Sequence, residues 1–200
     1  MRRANVVKTL YLFLACAGLL QVRGFGQPRG QGWRVDETAV VVKDASVDAV
    51  LFKRVVAFVR QNLPLKVVTA DLGEESISAL KPNAQFQHLA DSFQTRESHR
   101  VAVALVSEPE TIKERILLVR EKAAGIVNLK ALRPEVAGNK NEREQFARLI
   151  EKETIRTTGF LFGLSQCFNP RCAMSGYKLA TGESVMGRNL CPPCQAKLEQ

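Results

Sequence analysis

Four of the five cysteines lie within the last 34 residues, and their spacing constrains the fold of this end of the chain more than any other feature. They form the pattern Cys-x4-Cys-x18-Cys-x2-Cys, made by Cys167, Cys172, Cys191 and Cys194. Two close pairs joined by a loop are typical of a tetrahedral zinc site, in which two turns each contribute two thiolates. Two disulfides are the alternative, and an oxidising compartment would favour them. In either case residues 167–194 form a cross-linked, cysteine-rich end.

The histidine content limits the enzymes that this chain can form. The sequence contains two histidines, His88 and His99, and neither lies in a His-Glu-x-x-His frame. An active site that needs three imidazoles from one chain is therefore excluded, and both residues are predicted to be surface or capping residues. A zinc ion held by four thiolates would have no open coordination position, so it would stabilise the fold and would not activate water.

The N-terminal residues have the layout of a secretory signal peptide. A basic start without acids precedes an apolar run at residues 9–20, which is shorter than the roughly 20 residues of a membrane-spanning helix. Small residues near Gln27 suit cleavage there, which predicts a signal peptide at residues 1–26 and a flexible tether at residues 27–38. Phe13 and Leu14 do not fit a lipoprotein signal before Cys16. The expected product is secreted or periplasmic, with no membrane span after leader removal.

Much of the positive charge belongs to this leader. Residues 1–26 contain four basic residues and no acid, so their removal lowers the formal net charge from +9 to +5. The remaining charges are interspersed rather than clustered, and aromatic residues make up 6% of the chain. A nucleic-acid partner is therefore not expected, because such a surface needs a basic patch and bases stack on aromatic side chains.

Hydrophobic periodicity predicts one α/β domain over residues 39–200. Strands are predicted at residues 39–43, 65–70, 100–107, 116–119 and 125–129, and helices at residues 47–62, 84–93 and 141–164. Ser46 is the predicted N-cap of the first helix, and Asn141 with Glu144 resembles a capping box at the start of the last. Acidic and basic residues alternate over residues 142–153, which indicates a solvated, salt-paired helix face.

Residues 149–174, which read LIEKETIRTTGFLFGLSQCFNPRCAM, resemble the active-site region of the archaemetzincins, a family of zinc peptidases. In that family a helix carries His-Glu-x-x-His-x-x-Gly-x-x-His, followed directly by Cys, then by Cys after four residues, by Met two further on, and by a Cys-x2-Cys pair near the end. The matching residues here are Gly163, the four cysteines and Met174. Upstream, the runs VALVSEP and AGIVNLKAL resemble strands of the family's sheet.

The resemblance implies a zincin-like α/β fold. Its expected parts are a twisted mixed sheet, a backing helix near residues 47–62, a long former active-site helix near residues 141–164 and a C-terminal subdomain with one structural zinc. Met174 takes the place of the family's Met-turn residue and is expected to be buried beneath the site.

The departures from the motif fall on all four catalytic positions. Arg156, Phe160 and Gln166 stand at the three histidine positions, and Thr157 stands at the glutamate position. A guanidinium is always charged and repels a metal, and a phenyl ring has no lone pair to donate. Thr157 cannot replace the carboxylate as general base. The resemblance therefore implies a degenerate member with no catalytic residues.

The resulting hypothesis is an exported pseudopeptidase with one structural zinc that acts by binding a peptide or a protein. An edge strand within residues 125–132 is the expected place for such a peptide, because backbone hydrogen bonds would supply affinity there. Two alternatives stay open at this point. One is a working zinc hydrolase with unconventional metal ligands, and the other is a disulfide-stapled exported domain of unrelated role.

Overall fold

The computed structural model describes residues 38–72, 77, 80–93, 95, 100–107, 112–133, 141–176 and 187–199. The predicted signal peptide and His99 lie outside the described residues, as does the predicted tether except for its last residue. That residue, Thr38, opens the first strand and is not part of a tether. Within the described part of the chain, no helix is both long and apolar enough to cross a membrane.

The core of the domain is a five-stranded mixed sheet, which confirms the predicted fold class. Its strands are β1 (Thr38–Lys43), β2 (Lys66–Asp71), β3 (Arg100–Val106), β4 (Ile116–Val119) and β5 (Ala124–Asn128). They lie in the order β2-β1-β3-β5-β4, with β4 antiparallel to β5 and every other pair parallel.

One expectation about the sheet is wrong. The segment at residues 125–132 was expected to be an edge strand, but β5 lies between β3 and β4, and the chain turns into the helix α3 (Leu129–Leu132) directly after it. Asn128 caps α3 by accepting a hydrogen bond from the backbone N–H of Ala131, which ends the strand. The strand that borders this end of the sheet is β4.

Helices cover both faces of the sheet. They are α1 (Ala49–Asn62), α2 (Pro82–Phe93), α4 (Glu142–Leu161) and α5 (Pro192–Leu198), in addition to α3. Successive residues of a strand point to opposite faces, so Ala39 and Val41 of β1 pack in the core with α1 and α4. Val40 and Val42 pack on the other face with Phe86 of α2.

The start of α1 differs from the prediction. Its N-cap is Asp48, whose carboxylate accepts a hydrogen bond from the N–H of Leu51 at 2.8 Å. Ser46, the predicted cap, donates its hydroxyl instead to the buried carboxylate of Asp44 at 2.6 Å and accepts a bond from the N–H of Ser107. Ser46 therefore fixes the end of β1 against β3 and is not available to the helix.

The start and the charged face of α4 also differ from the prediction. Asn141 makes no side-chain capping bond, and α4 ends at Leu161 rather than at residue 164. The face that was expected to be solvated is partly buried, because Glu151, Lys152 and Glu153 are 1–3% exposed. Burial of charged residues requires partners, and those of Glu151 come from distant parts of the chain.

Arg54 of α1 supplies much of that pairing. Its guanidinium donates two hydrogen bonds to Glu144, at 2.6 and 2.8 Å, and a third to the buried Glu151 at 3.0 Å. Arg188 makes a second ion pair with Glu151. These contacts join α1, α4 and the segment before the last cysteine pair. The hydrogen bonds from Arg54 are also the main reason that the pKa of Glu144 is lowered to about 2.

Candidate metal centre and the former active-site helix

The four cysteines come together at one point of the structure. All four Sγ atoms lie within 4.8 Å of one another, and Cys167 Sγ is 3.7 Å from Cys191 Sγ. Tetrahedral zinc with Zn–S bonds of about 2.3 Å places its sulfurs about 3.8 Å apart. A disulfide would require about 2.05 Å, and all four cysteines are free. The cluster therefore has the geometry of a four-thiolate zinc site and not of two disulfides.

Local backbone structure positions the sulfurs. The N–H of Asn169 points to Cys167 Sγ and the N–H of Cys191 points to Cys172 Sγ, each at 3.4 Å. Cys191 is the N-cap residue of α5, and the prolines that follow it start the helix that carries Cys194. Three of the four side chains are buried, and that of Cys167 is half-buried. Such a closed set leaves no open coordination position, which suits a structural zinc.

The thiols do not ionise alike. Burial raises the pKa of Cys172 and that of Cys194. Cys191 is also desolvated, but its pKa is lowered because the backbone N–H of Cys194 and the neighbouring thiols stabilise its thiolate. A thiolate is thus favoured at Cys191 and disfavoured at Cys172 and Cys194. A bound divalent cation removes this obstacle, since coordination deprotonates thiols outright.

The side chains at the three positions where the family motif has histidine lie close together at the end of α4. The guanidinium carbon of Arg156 lies 5.4 Å from the centre of the Phe160 ring. A Cβ atom built on Gly176 would lie 2.4 Å from Gln166 Nε2 and 3.6 Å from Arg156 Nη2, so both side chains reach the same backbone point. Their assignment as vacated catalytic positions remains a prediction, and their convergence agrees with it.

The turn after α4 depends on a glycine. Gly163 has a φ of 85°, in the left-handed region that an L side chain rarely adopts. Its position is the one at which the motif places the glycine that turns the chain. The N–H of Leu164 then bonds to the carbonyl of Gly159 at 2.8 Å, and the chain leads back to Gln166 and Cys167.

Thr157 faces the sheet rather than a cleft. Its side chain is buried, and its methyl group would lie 2.6 Å from a Cβ built on Gly125 of β5. No described residue hydrogen-bonds to its hydroxyl. A glycine at position 125 therefore allows α4 to approach β5 closely, and Thr157 provides packing at the position where the motif has a carboxylate.

Met174 is buried, as the sequence predicted. Its exposure is 0%, and its sulfur would lie 2.7 Å from a Cβ built on Gly159 of α4. The N–H of Cys167 bonds to its carbonyl at 3.1 Å, which ties the cysteine cluster to this turn. Met174 thus packs directly beneath the segment of α4 that carries Arg156 and Phe160.

Sequence reasoning missed one contributor to this region. Glu153 is buried one turn before Arg156, and its Oε2 lies 3.6 Å from Arg156 Nη1. The alternating charges of α4 gave no sign of its burial. The described histidine does not contribute, because His88 lies on α2, which packs on the opposite face of the sheet.

Comparison with known proteins shows that the chain is similar to one class of zinc peptidase. No protein-family model matches it. The archaemetzincin of Thermococcus kodakarensis is 32% identical over 75 residues, which span 38% of this chain and 40% of that protein. The archaemetzincin of Pyrococcus furiosus is 23% identical, with 73% of this chain and 86% of that protein covered. The alignment at 32% identity thus covers about two fifths of the length of the relative that it matches.

Solved structures share the fold over nearly their whole length. A zinc-dependent peptidase from Methanocorpusculum labreanum superposes with a TM-score of 0.64 at 18% identity, with 80% of this chain and 99% of that chain covered. The archaemetzincin of Archaeoglobus fulgidus, solved in complex with malonate, gives 0.53 at 14% identity, with 80% and 99% covered.

The fold and the four-cysteine site together define a protein of the zinc-peptidase fold class with a closed metal centre. Within that class the chain is archaemetzincin-like, in sequence and in fold. The prediction of a single zinc is supported by the clustered sulfurs and by this relationship.

Proposed function

We propose that the mature chain is an exported, non-catalytic relative of the archaemetzincins that binds a peptide or protein partner. The observation that carries the proposal is the convergence of Arg156, Phe160 and Gln166 at the end of α4, where the family motif has three histidines. None of these side chains is a zinc ligand. Among the described residues, a metal ion could be held where three or more His, Cys, Asp or Glu side chains lie close together, and the four cysteines form such a group.

The residues at the four motif positions support a non-catalytic role. A metal-assisted hydrolysis needs a bound water activated by the ion and a base to accept its proton. The cysteine centre would use all four positions of zinc for protein ligands, so that ion binds no water. Thr157 packs against Gly125 and has no carboxylate, so the position of the motif's base holds none. The zinc would then stabilise the C-terminal end only.

The sheet offers a place for an extended partner. β4 pairs with β5 on one side and has no further described strand on the other. An edge strand exposes backbone N–H and C=O groups with which a peptide can pair. This edge borders the former site, since Leu118 of β4 pairs with Gly125, against which Thr157 packs. Export follows from the leader-like residues 1–26 and is part of the proposal.

The test combines metal analysis with a peptidase assay on the purified mature chain. We expect one zinc per chain by elemental mass spectrometry and no hydrolysis of a mixed pool of peptides. A rebuilt variant should bind a second zinc, because its helix then presents the motif's ligands. Its four substitutions are Arg156→His, Thr157→Glu, Phe160→His and Gln166→His.

The matched control for the rebuilt variant carries Arg156→Asn, Thr157→Gln, Phe160→Leu and Gln166→Asn. These changes remove the native side chains and add neither imidazole nor carboxylate, so the control should keep one zinc. Two zinc ions in the unmodified chain, or peptide hydrolysis that is lost in this control, would contradict the proposal.

A further inference from the structure

The Arg156 side chain has hydrogen-bonding capacity that the described protein does not use. Its Nε is buried and has no hydrogen-bond partner among the described residues. Its ion-pair partner Glu153 lies 3.6 Å away, which is too far for a hydrogen bond. A guanidinium has five donors in a planar fork, and burial of such donors without acceptors is costly.

The surroundings hold this guanidinium in place. Glu153 is 2% exposed in its side chain and pairs with Arg156 from the buried side. The Phe160 ring packs against the guanidinium at 5.4 Å, a cation–π contact. The Arg156 side chain nevertheless remains 21% exposed, so a ligand in solvent can reach part of it, although not the buried Nε.

A second donor lies beside it. Gln166 is an exposed residue, and its amide nitrogen lies 2.4 Å from a Cβ built on Gly176, a point that is 3.6 Å from Arg156 Nη2. A side chain at position 176 would collide with that amide. A guanidinium nitrogen and the amide nitrogen thus both lie near one point beside Gly176.

We infer that Arg156 and Gln166 form a binding site for a carboxylate group of a peptide ligand. The fork of a guanidinium matches the two oxygens of a carboxylate, and the amide can donate to the same group. A fixed positive charge would then anchor the ligand at the place where the family motif positions a metal. This inference rests on the proposed peptide-binding function and specifies the chemistry of its ligand.

Basic residues and one buried carboxylate lie along this part of α4. Arg115, just before β4, and Arg156 both lie within electrostatic range of Lys152, whose pKa is lowered mainly by burial. Lys152 also lies within electrostatic range of Cys172. Glu153 is the acid on the same helix that faces Arg156, and its separation of 3.6 Å leaves the guanidinium donors available to a ligand.

The experiment measures retention of peptides by the immobilised, zinc-loaded mature chain. Three pools of N-acetylated octapeptides are compared. The first has free C-terminal carboxylates and no Asp or Glu, the second has C-terminal amides and contains Asp and Glu, and the third has C-terminal amides and no acidic residue. The first two pools distinguish a terminal carboxylate from a side-chain carboxylate, and the third carries none.

We expect at least one carboxylate-bearing pool to be retained about tenfold more strongly than the carboxylate-free pool, the usual scale for a charge-assisted hydrogen-bonded contact. Arg156→Gln should abolish the difference. Arg156→Lys should preserve part of it, because an ammonium keeps the positive charge but lacks the planar fork. Arg143→Gln, an exposed change on the same helix, is the matched control and should leave retention unchanged.

Each outcome decides between the two proposals. Equal retention of all three pools would overturn the carboxylate site while peptide binding stands, and retention of no pool would overturn both. If Arg156→Gln unfolds or loses its zinc, Arg156→Lys and Gln166→Ala replace it. Unchanged carboxylate preference in both of these variants would overturn the inference.

Discussion

The contact between Gly159 and Met174 gives the sharpest test of how α4 packs. An alanine at position 159 would place its Cβ 2.7 Å from the Met174 sulfur and 3.2 Å from Leu164 Cδ1. Ordinary contacts are near 3.5–4.0 Å, so Gly159→Ala forces a buried side chain to move. Such overpacking costs about 1–3 kcal/mol, and the helix propensity of alanine offsets about 1 kcal/mol of it.

Met174→Ala alone should cost about 2–5 kcal/mol, because Met174 is fully buried and its removal leaves a cavity. In the double variant the colliding sulfur is absent and the new methyl group occupies part of that cavity. The double variant should therefore be at least as stable as Met174→Ala alone. The coupling free energy is expected to be about 1–3 kcal/mol, well above the scatter of independent sites.

The assay is urea unfolding of the zinc-loaded chain, followed by far-UV circular dichroism. Phe86→Leu provides the control partner for Gly159→Ala, because Phe86 lies in the core on the opposite face of the sheet and should show no coupling. Additivity of Gly159→Ala and Met174→Ala within about 0.5 kcal/mol would refute the placement of Met174 beneath α4.

Two further predictions concern the elements that support the site. Cys191→Ser should abolish stoichiometric zinc binding and lower Tm by about 6 °C or more, as expected if at least about 3 kcal/mol is lost. The exposed neighbour Gln195→Ser is its control, and an unchanged Tm would refute a structural zinc. Arg54→Gln should cost about 1 kcal/mol at pH 7. The folded-state pKa of Glu144, about 2, lies below its ordinary 4.5. Its contribution is therefore present above pH 4.5 and lost as the pH falls to 2, so urea titrations should show a shallower acid loss in the variant.

Local patterns of apolar residues predicted most of the helices and strands, because each helix or strand determines which of its own residues are buried. The uninterrupted apolar run of β1 reflects a strand buried on both faces, and the 3.6-residue period of α1 reflects one buried face. The cysteine cluster was predictable for a similar reason. The spacing of each pair suffices to bring two sulfurs into one turn, whatever the rest of the fold does.

Contacts between distant residues were not predictable in this way. The pattern of β5 does not reveal which strands lie beside it, so its place inside the sheet was missed. Ser46 is a good N-cap by residue type, but the fold uses its hydroxyl to join Asp44 and Ser107. Glu151 fits a solvated helix by its charged neighbours, yet its partner Arg54 lies 97 residues earlier in the chain.

The cysteine cluster and the side chains at the end of α4 contribute differently to the stability of the fold. The cysteines pack in the main core with Leu190 and Leu198, so loss of any one sulfur exposes or strains that core. Arg156, Phe160 and Gln166 lie at its surface and are all at least partly exposed. Substitution there can exchange a metal-binding face for a guanidinium and an amide at little cost in folding. A chain can therefore keep the archaemetzincin-like fold and its four-cysteine cluster while the side chains at the end of α4 vary.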